Sequence, residues 1–316
     1  MSGHPGPMAG TSPAQAPRAF RASAPQMALA LGIAAVSSGS IFSRFAQADA
    51  PSLAIAAFRL SMATLFLLPV AWLRYRRELR GLTAREWRWL LASGLFLAVH
   101  FATWITSLEY TSVASSVALV STSPLWVALF AWFVWREPLK PALLAGLGLA
   151  LAGSVVISLA EAQAAISSRP LLGNLLALVG AIAVSGYWLI GRRLRRHLPL
   201  VPYVTVVYGA AALLLLAAAL SFRQPLVGFK PATYGWFLLL ALLPQLLGHS
   251  SFNWALGHLG AAYVAVATLG EPIGAAILAL LFLGEVPSPL KAAAAALILA
   301  GIFLALDRRS DSGSGD

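Results

Sequence analysis

Two apolar stretches of the chain carry polar and aromatic side chains at the spacing of one helical face. Positions i, i+4 and i+7 share a face of an α-helix. Polar groups inside hydrocarbon usually face a cavity or a partner, so we predict that both faces contact a small molecule. Hydrogen bonding between packed helices is the alternative. The side chains are His100, Trp104 and Ser107 in one stretch, and Gln245, His249 and either Phe252 or Asn253 in the other.

Two charged residues lie inside apolar runs. Glu271 stands just before Pro272, about ten residues into its run, which places it near the bilayer centre. It could pair with a substrate ammonium group, carry a proton, or be structural. Arg59 could hold a substrate carboxylate, or it could pair with Glu109 or Glu271. The sequence leaves these roles open.

Tyr187 and Trp188 lie near the middle of another apolar run and are further candidates for contact with a substrate. Tyr and Trp usually mark the membrane interface, and a position in the middle of a run fits that role poorly. The chain has no cysteine, and its histidines and carboxylates are not at metal-ligand spacing. We therefore predict no metal site, no cofactor and no catalytic residue.

The composition is that of an integral membrane protein. Hydrophobic residues make up 59% of the chain and charged residues only 10%, whereas soluble domains carry roughly 25% charged residues. The net charge of +11 comes from basic residues near the ends of apolar runs, so it indicates membrane orientation and not a nucleic-acid partner. We predict ten spanning helices, at 27–46, 52–73, 88–108, 112–135, 141–160, 171–191, 200–221, 232–257, 261–283 and 289–307.

The distribution of Lys and Arg predicts the orientation. If the N-terminus is inside, the inner segments hold 16 of these residues and the outer segments hold five. Both termini are then cytoplasmic, in a multi-pass protein of the inner membrane. Residues 1–24 and 308–316 are rich in small and polar residues, and we expect them to be flexible tails.

The chain repeats itself at an offset of 148 residues. The offset carries Pro124 onto Pro272, Glu137 onto Glu285 and Arg44 onto Arg192. We predict two units, at 25–160 and 171–307, of five spans each. Because five is an odd number, the second unit enters the membrane from the opposite side, which is typical of secondary transporters. The two Pro residues would bend their helices, and the two Glu residues would cap neighbouring helices or lock a gate.

The repeated unit resembles a known family. The phrases SLEYTSVASSVALVSTSPLWVALFAWFVWREPLKPALLAGLGLALAG and ALGHLGAAYVAVATLGEPIGAAILALLFLGE are similar to the EamA-type domain of the drug/metabolite transporter superfamily, and Arg59 lies where the first unit of that family often has an Arg. The local sequence is similar to the amino-acid exporter branch, including YddG-type exporters. This resemblance implies a ten-helix all-α secondary exporter that works without ATP hydrolysis.

From these features we expect an exporter of amino acids, neutral, aromatic or otherwise hydrophobic, and of related metabolites, that works by alternating access. An exporter of drugs or other small metabolites is the alternative, and a non-transport membrane protein is a further one. The zinc, nucleophile-elbow and phosphate-loop motifs of enzymes do not occur in the sequence. The expected partners are the small-molecule substrate and the lipid bilayer, and the sequence is compatible with a monomer.

Overall fold

The computed structural model describes residues 24–136 and 169–306, with isolated positions between 141 and 156. All regular elements of this part of the chain are helical, as predicted. Several predictions lie outside the described residues. They concern Glu137, most of the fifth span at 141–160, and the tails apart from Ala24, which begins the first helix.

Eight helices of the described part are long and apolar enough to cross a membrane. They correspond to the first four predicted spans and to the sixth through ninth, and a shorter helix follows at the position of the tenth. The chain is therefore a multi-pass helical membrane protein. The eight helices are α1 (Ala24–Gln47), α2 (Ser52–Arg74), α3 (Ala84–Tyr110), α4 (Val113–Val134), α5 (Pro170–Leu194), α6 (Leu200–Ser221), α7 (Pro231–Leu256) and α8 (Ala261–Leu283), and α9 (Pro289–Leu306) follows them.

Local sequence explains where several helices begin. Pro51 and Pro199, which lie 148 residues apart, are the N-cap residues of α2 and α6. The start of α3 is a capping box. Thr83 Oγ1 accepts a hydrogen bond from the Glu86 backbone N–H at 3.2 Å, and Glu86 Oε2 accepts one from the Thr83 backbone N–H at 2.8 Å. These bonds satisfy N–H groups that the first helical turn leaves without a partner.

Three helices are interrupted near a proline. In α4, a turn at Ser121 and Thr122 comes before Pro124. In α8, a 3-10 turn at Thr268–Gly270 comes before Pro272. Proline lacks the N–H that an uninterrupted helix needs. In α7, the segment Ala241–His249 around Pro244 is π-helical, and such wide turns are frequent at functional sites.

Several close helix contacts depend on glycine, and Gly94 and Gly248 are two examples. A Cβ atom on Gly94 of α3 would lie 2.7 Å from Ala210 Cβ of α6. A Cβ atom on Gly248 of α7 would lie 2.6 Å from Val36 Cγ1 of α1. Small residues let transmembrane helices approach closely, and these contacts hold α3 against α6 and α1 against α7.

Equivalent residues of the two halves make equivalent hydrogen bonds near helix ends. Arg44 Nη1 donates to the Leu108 carbonyl at 2.6 Å, and Arg192 Nη1 donates to the Leu256 carbonyl at 2.9 Å. Both the donors and the acceptors are separated by 148 residues. The same arginine contact therefore ties α1 to α3 in the first half and α5 to α7 in the second half.

A second pair of contacts follows the same offset. Gln47 Nε2 donates to the Ile105 carbonyl at 2.7 Å. Its counterpart, Arg195 Nε, donates to the Asn253 carbonyl at 3.0 Å. An amide in one half and a guanidinium in the other thus perform the same task, and the sequence match at this position is hidden by the change of residue type.

Each half also contacts the start of the third helix of the other half. Asp49, in the α1–α2 loop, accepts hydrogen bonds at 2.7 Å from the Lys230 backbone N–H and at 2.8 Å from Thr233 Oγ1, beside the start of α7. These two bonds, the backbone bond first, lower the pKa of Asp49 below its ordinary value. At the equivalent position in the second half, His197 Nε2 lies 3.0 Å from Glu86 Oε1 of α3.

Candidate binding cavity

A cavity lies where α1, α2, α3, α4, α5, α7 and α8 meet. Residues of both halves line it. Seven of the residues singled out in the sequence are brought together here. They are Arg59, His100, Trp104, Trp188, His249, Phe252 and Glu271.

The cavity also has six lining residues that are absent from the predicted site. Ser121, Ser123 and Thr268 lie beside the interruptions of α4 and α8, so their proximity to Pro124 and Pro272 was an available signal. The apolar members carry no such signal, since valine is common in any spanning helix. The six are Val36, Val120, Ser121, Ser123, Val184 and Thr268.

Four of the predicted substrate contacts do not line this cavity, namely Ser107, Tyr187, Asn253 and Gln245. Ser107 Oγ donates to the Trp104 carbonyl at 2.6 Å and shares a hydrogen bond with Ser116 Oγ at 2.7 Å. Asn253 Nδ2 donates to the hydroxyl of Tyr187, and also to the His249 carbonyl at 2.8 Å. The hydroxyl groups of Ser107 and Tyr187 and the amide nitrogen of Asn253 are thus used in contacts within and between helices.

Arg59 is the only positively charged side chain among the residues that line this cavity. It is 1% exposed, and its Nε donates to Gln245 Oε1 of the π-helical segment at 2.8 Å. Its guanidinium carbon lies 4.1 Å from the centre of the Phe101 ring, which allows a cation–π interaction. Gln245 therefore contributes to the site from behind Arg59 and does not line the cavity itself.

Arg59 has no ion-pair partner within the described residues. Glu109, one of the two partners considered for it, accepts a hydrogen bond from the Ser52 hydroxyl instead. Glu271, the other one, lines the same cavity as Arg59 without forming a salt bridge to it. The structural ion pair considered for Arg59 is therefore not formed with either carboxylate.

Four buried nitrogen atoms of the lining residues have no hydrogen-bond partner within the part of the chain that the structure describes. They belong to side chains that are between 1% and 7% exposed. A buried polar atom without a partner costs about 1–3 kcal/mol, and such atoms are rare in folded proteins. A ligand with acceptor oxygens would remove this cost for the guanidinium and indole nitrogens, which can only donate. The atoms are Arg59 Nη1, Trp104 Nε1, Trp188 Nε1 and His249 Nδ1.

The rings of the site support one another. His100 and Trp104 stack in parallel planes with their centroids 6.0 Å apart. His100 Nδ1 lies 2.9 Å from the Gly180 carbonyl, which makes this nitrogen the donor. His249 packs edge-on against Phe101 at 5.2 Å. These contacts fix the orientation of the aromatic side chains around Arg59.

An ion pair connects the two halves at one end of the helices. Arg44 Nη2 lies 3.2 Å from Glu285 Oε1, and Glu285 Oε2 accepts a hydrogen bond from the Val113 backbone N–H at 3.0 Å. Glu285 thus caps α4 from the other half. A second cavity lies at this place, and its lining includes Arg44, Glu109, Glu285 and Lys291.

The chain resembles known transporters in sequence. The EamA-like transporter family matches residues 25–159 and 171–306. An uncharacterized transporter of Archaeoglobus fulgidus is 28% identical over 79% of this chain and 86% of its own length. A probable amino-acid metabolite efflux pump of Salmonella typhimurium is 26% identical over 68% of this chain and 75% of its own.

A crystal structure superposes on this chain with a TM-score of 0.65 at 21% identity, covering 90% of this chain and 98% of that one. At this level of identity the similarity supports the fold alone. The family and both named relatives are described as transporters and not as enzymes.

Proposed function

This chain belongs to the EamA-like transporter family, and from that premise we propose that it exports neutral hydrophobic or aromatic amino acids and related metabolites across the inner membrane. The observation that carries this proposal is the central cavity. It offers one guanidinium, two indole N–H groups, two imidazoles and one carboxylate among aromatic and aliphatic walls. Such a lining suits a molecule that has both a polar head and an apolar side chain.

We further propose ten spans in two inverted units, with both termini cytoplasmic. The hydrogen bonds that recur at an offset of 148 residues support this arrangement, because related halves repeat their internal contacts. Substrate sites of such transporters lie between the halves, and residues of both halves line the cavity. Transport would then proceed by alternating access, with the interrupted helices α4 and α8 as bending elements.

The ion pair of Arg44 with Glu285 suits a gate in this mechanism. It joins residues of different halves at one end of the protein, and Arg44 belongs to an outer segment in the proposed orientation. Opening of that end would separate the pair. By the repeat offset, Arg192 and Glu137 are the corresponding residues of the inner end.

Flux measurements in proteoliposomes test the proposal. Labelled Phe, Trp, Met, Leu and Thr are offered with and without a pH gradient, beside liposomes without protein. Saturable flux of neutral amino acids is expected, and its response to the gradient distinguishes proton coupling from facilitated passage. If folded protein carries none of the five, the proposed substrate class is wrong, and an exporter of drugs or other metabolites becomes the better hypothesis.

A further inference from the structure

The central cavity contains two opposite charges that do not meet. Arg59 and Glu271 both line it, yet no ion pair joins them. Opposite charges in a region of low dielectric attract strongly, and a buried charge without a partner is costly. A site that holds the two groups apart is therefore suited to a ligand that supplies the missing partner to each.

The positive side of the cavity offers several hydrogen-bond donors. Arg59 Nη1 and Trp104 Nε1 are buried and have no hydrogen-bond partner among the described residues, and the Arg59 guanidinium carbon lies 5.9 Å from the centre of the Trp104 ring. Guanidinium and indole N–H groups donate hydrogen bonds and cannot accept them. This side therefore requires an acceptor, and a carboxylate provides two oxygen atoms with negative charge.

The negative side of the cavity has the complementary requirement. Within the described residues the Glu271 carboxylate has no ion-pair partner, and it lies at the interruption of α8 beside Thr268. A ligand ammonium group would supply both a charge and donors. Val36, Val184 and Phe252 are among the apolar residues of the lining, and they are suited to contact a hydrophobic side chain.

Resting on the function proposed above, we propose that the ligand is the zwitterion of an α-amino acid that bridges Arg59 and Glu271. The carboxylate binds to Arg59 Nη1 with Trp104 Nε1 beside it, and the ammonium group binds to Glu271. Arg59 is then the group that rejects cationic amines, because a buried guanidinium repels a second positive charge. Glu271 rejects simple monocarboxylates for the opposite reason.

Three ligands with the same phenyl ring separate these contributions. L-phenylalanine carries both charged groups, L-phenylalaninamide lacks the carboxylate, and 3-phenylpropionate lacks the ammonium group. Their affinities for the purified protein are measured by calorimetry. We expect wild-type protein to bind L-phenylalanine at least about tenfold more tightly than either analogue, which corresponds to about 1.4 kcal/mol, since each analogue lacks one charged group and its charge-assisted hydrogen bonds.

Variants assign each preference to one residue. Arg59→Gln should abolish the preference for L-phenylalanine over the amide and keep the preference over phenylpropionate, and Glu271→Gln should do the reverse. Exposed residues of the short helix Arg76–Arg80 provide matched controls. Arg76→Gln and Glu78→Gln should retain both preferences. A folding defect would instead weaken the binding of all three ligands together.

The comparison of the three ligands on wild-type protein tests the bridging proposal even if a variant fails to fold. If the amide or phenylpropionate binds as tightly as L-phenylalanine while the protein transports L-phenylalanine, the bridging inference is overturned and the proposed function stands. If L-phenylalanine and the other amino acids are neither bound nor transported, the proposed function itself fails. Loss of both preferences in Arg59→Gln alone would refute the role assigned to Glu271.

Discussion

Replacing Glu285 by Gln should favour opening of the protein at the end where this residue holds the two halves together. The substitution keeps the size of the side chain and removes its charge. It weakens two contacts at once, the ion pair to Arg44 at 3.2 Å and the acceptor for the Val113 N–H at 3.0 Å. Both contacts join different halves, so they exist only while the halves meet at this end. The substitution therefore destabilises the closed conformation more than the conformation in which the halves are separated there.

The magnitude follows from the geometry. At 3.2 Å and an effective dielectric constant of about 20, the attraction between the charges is about 5 kcal/mol. The side chains are 34% and 20% exposed, so solvation and side-chain mobility offset most of it and leave about 1 kcal/mol. A charged cap at a helix N-terminus adds about 0.3–1 kcal/mol. A total of about 1–2 kcal/mol shifts the equilibrium between the two conformations by about 5- to 30-fold.

A single introduced cysteine reports this shift, because the chain has none of its own. Val120 lines the central cavity and is partly exposed. In a Val120→Cys background, Glu285→Gln should raise the rate of labelling by an impermeant maleimide, added from the outer side, by about 5- to 30-fold. The exposed Glu78→Gln is the matched control.

A double-mutant comparison strengthens the test. Arg44→Gln should also increase labelling, and the double variant should add less than the sum of the two single effects, because the residues form one contact. If labelling and transport in Glu285→Gln both equal those of the control, Glu285 holds no gate and this reasoning is refuted.

Three further predictions concern stability, each measured as unfolding of purified protein in detergent. Gly94→Ala should lower the free energy of unfolding by about 1–3 kcal/mol through overpacking. Gly235→Ala should not have this effect, because a Cβ atom there meets nothing within 4 Å. Because the pKa of Asp49 is lowered in the folded protein, its ionised carboxylate contributes stability above the unfolded-state pKa. This contribution is lost as the pH falls through the folded-state pKa. Asp49→Asn should therefore flatten the dependence of stability on pH in this range. Gln245→Leu should lower the free energy of unfolding by about 1.5–3 kcal/mol, because Arg59 Nε loses its hydrogen-bond acceptor. Equal stability of this variant and the wild type would exclude that contact.

Much of the architecture could be predicted because hydrophobicity alone specifies spanning helices. Twenty apolar residues leave few options in a bilayer, since only a helix satisfies every backbone polar group within one segment. The repeat could also be recognised, because Pro and Glu at matched spacing are uncommon in such a composition. The offset even locates the paired contacts of Arg44 and Arg192. The equivalence of Gln47 with Arg195 was hidden, since two different side chains make the same bond.

Predictions about the site were only partly specific, and the reason is geometric. Helical spacing shows which residues share a face, but it does not show what that face meets. Trp104 and Ser107 lie on one face of α3, yet Trp104 lines the cavity and Ser107 bonds to Ser116. The π-helical turn in α7 changes the helical register beyond any spacing rule, and it places Gln245 behind Arg59.

The sequence by itself determined the membrane environment, the helices, the two-part organisation and the set of polar residues that hydrocarbon would not tolerate without a reason. These properties depend on composition and on order along one chain segment. Only the tertiary structure decided which of those residues meet. Arg59 and Glu271, which are 212 positions apart, come to line one cavity without pairing because seven helices position them, and that separation of charge is a property of packing that no single helix contains.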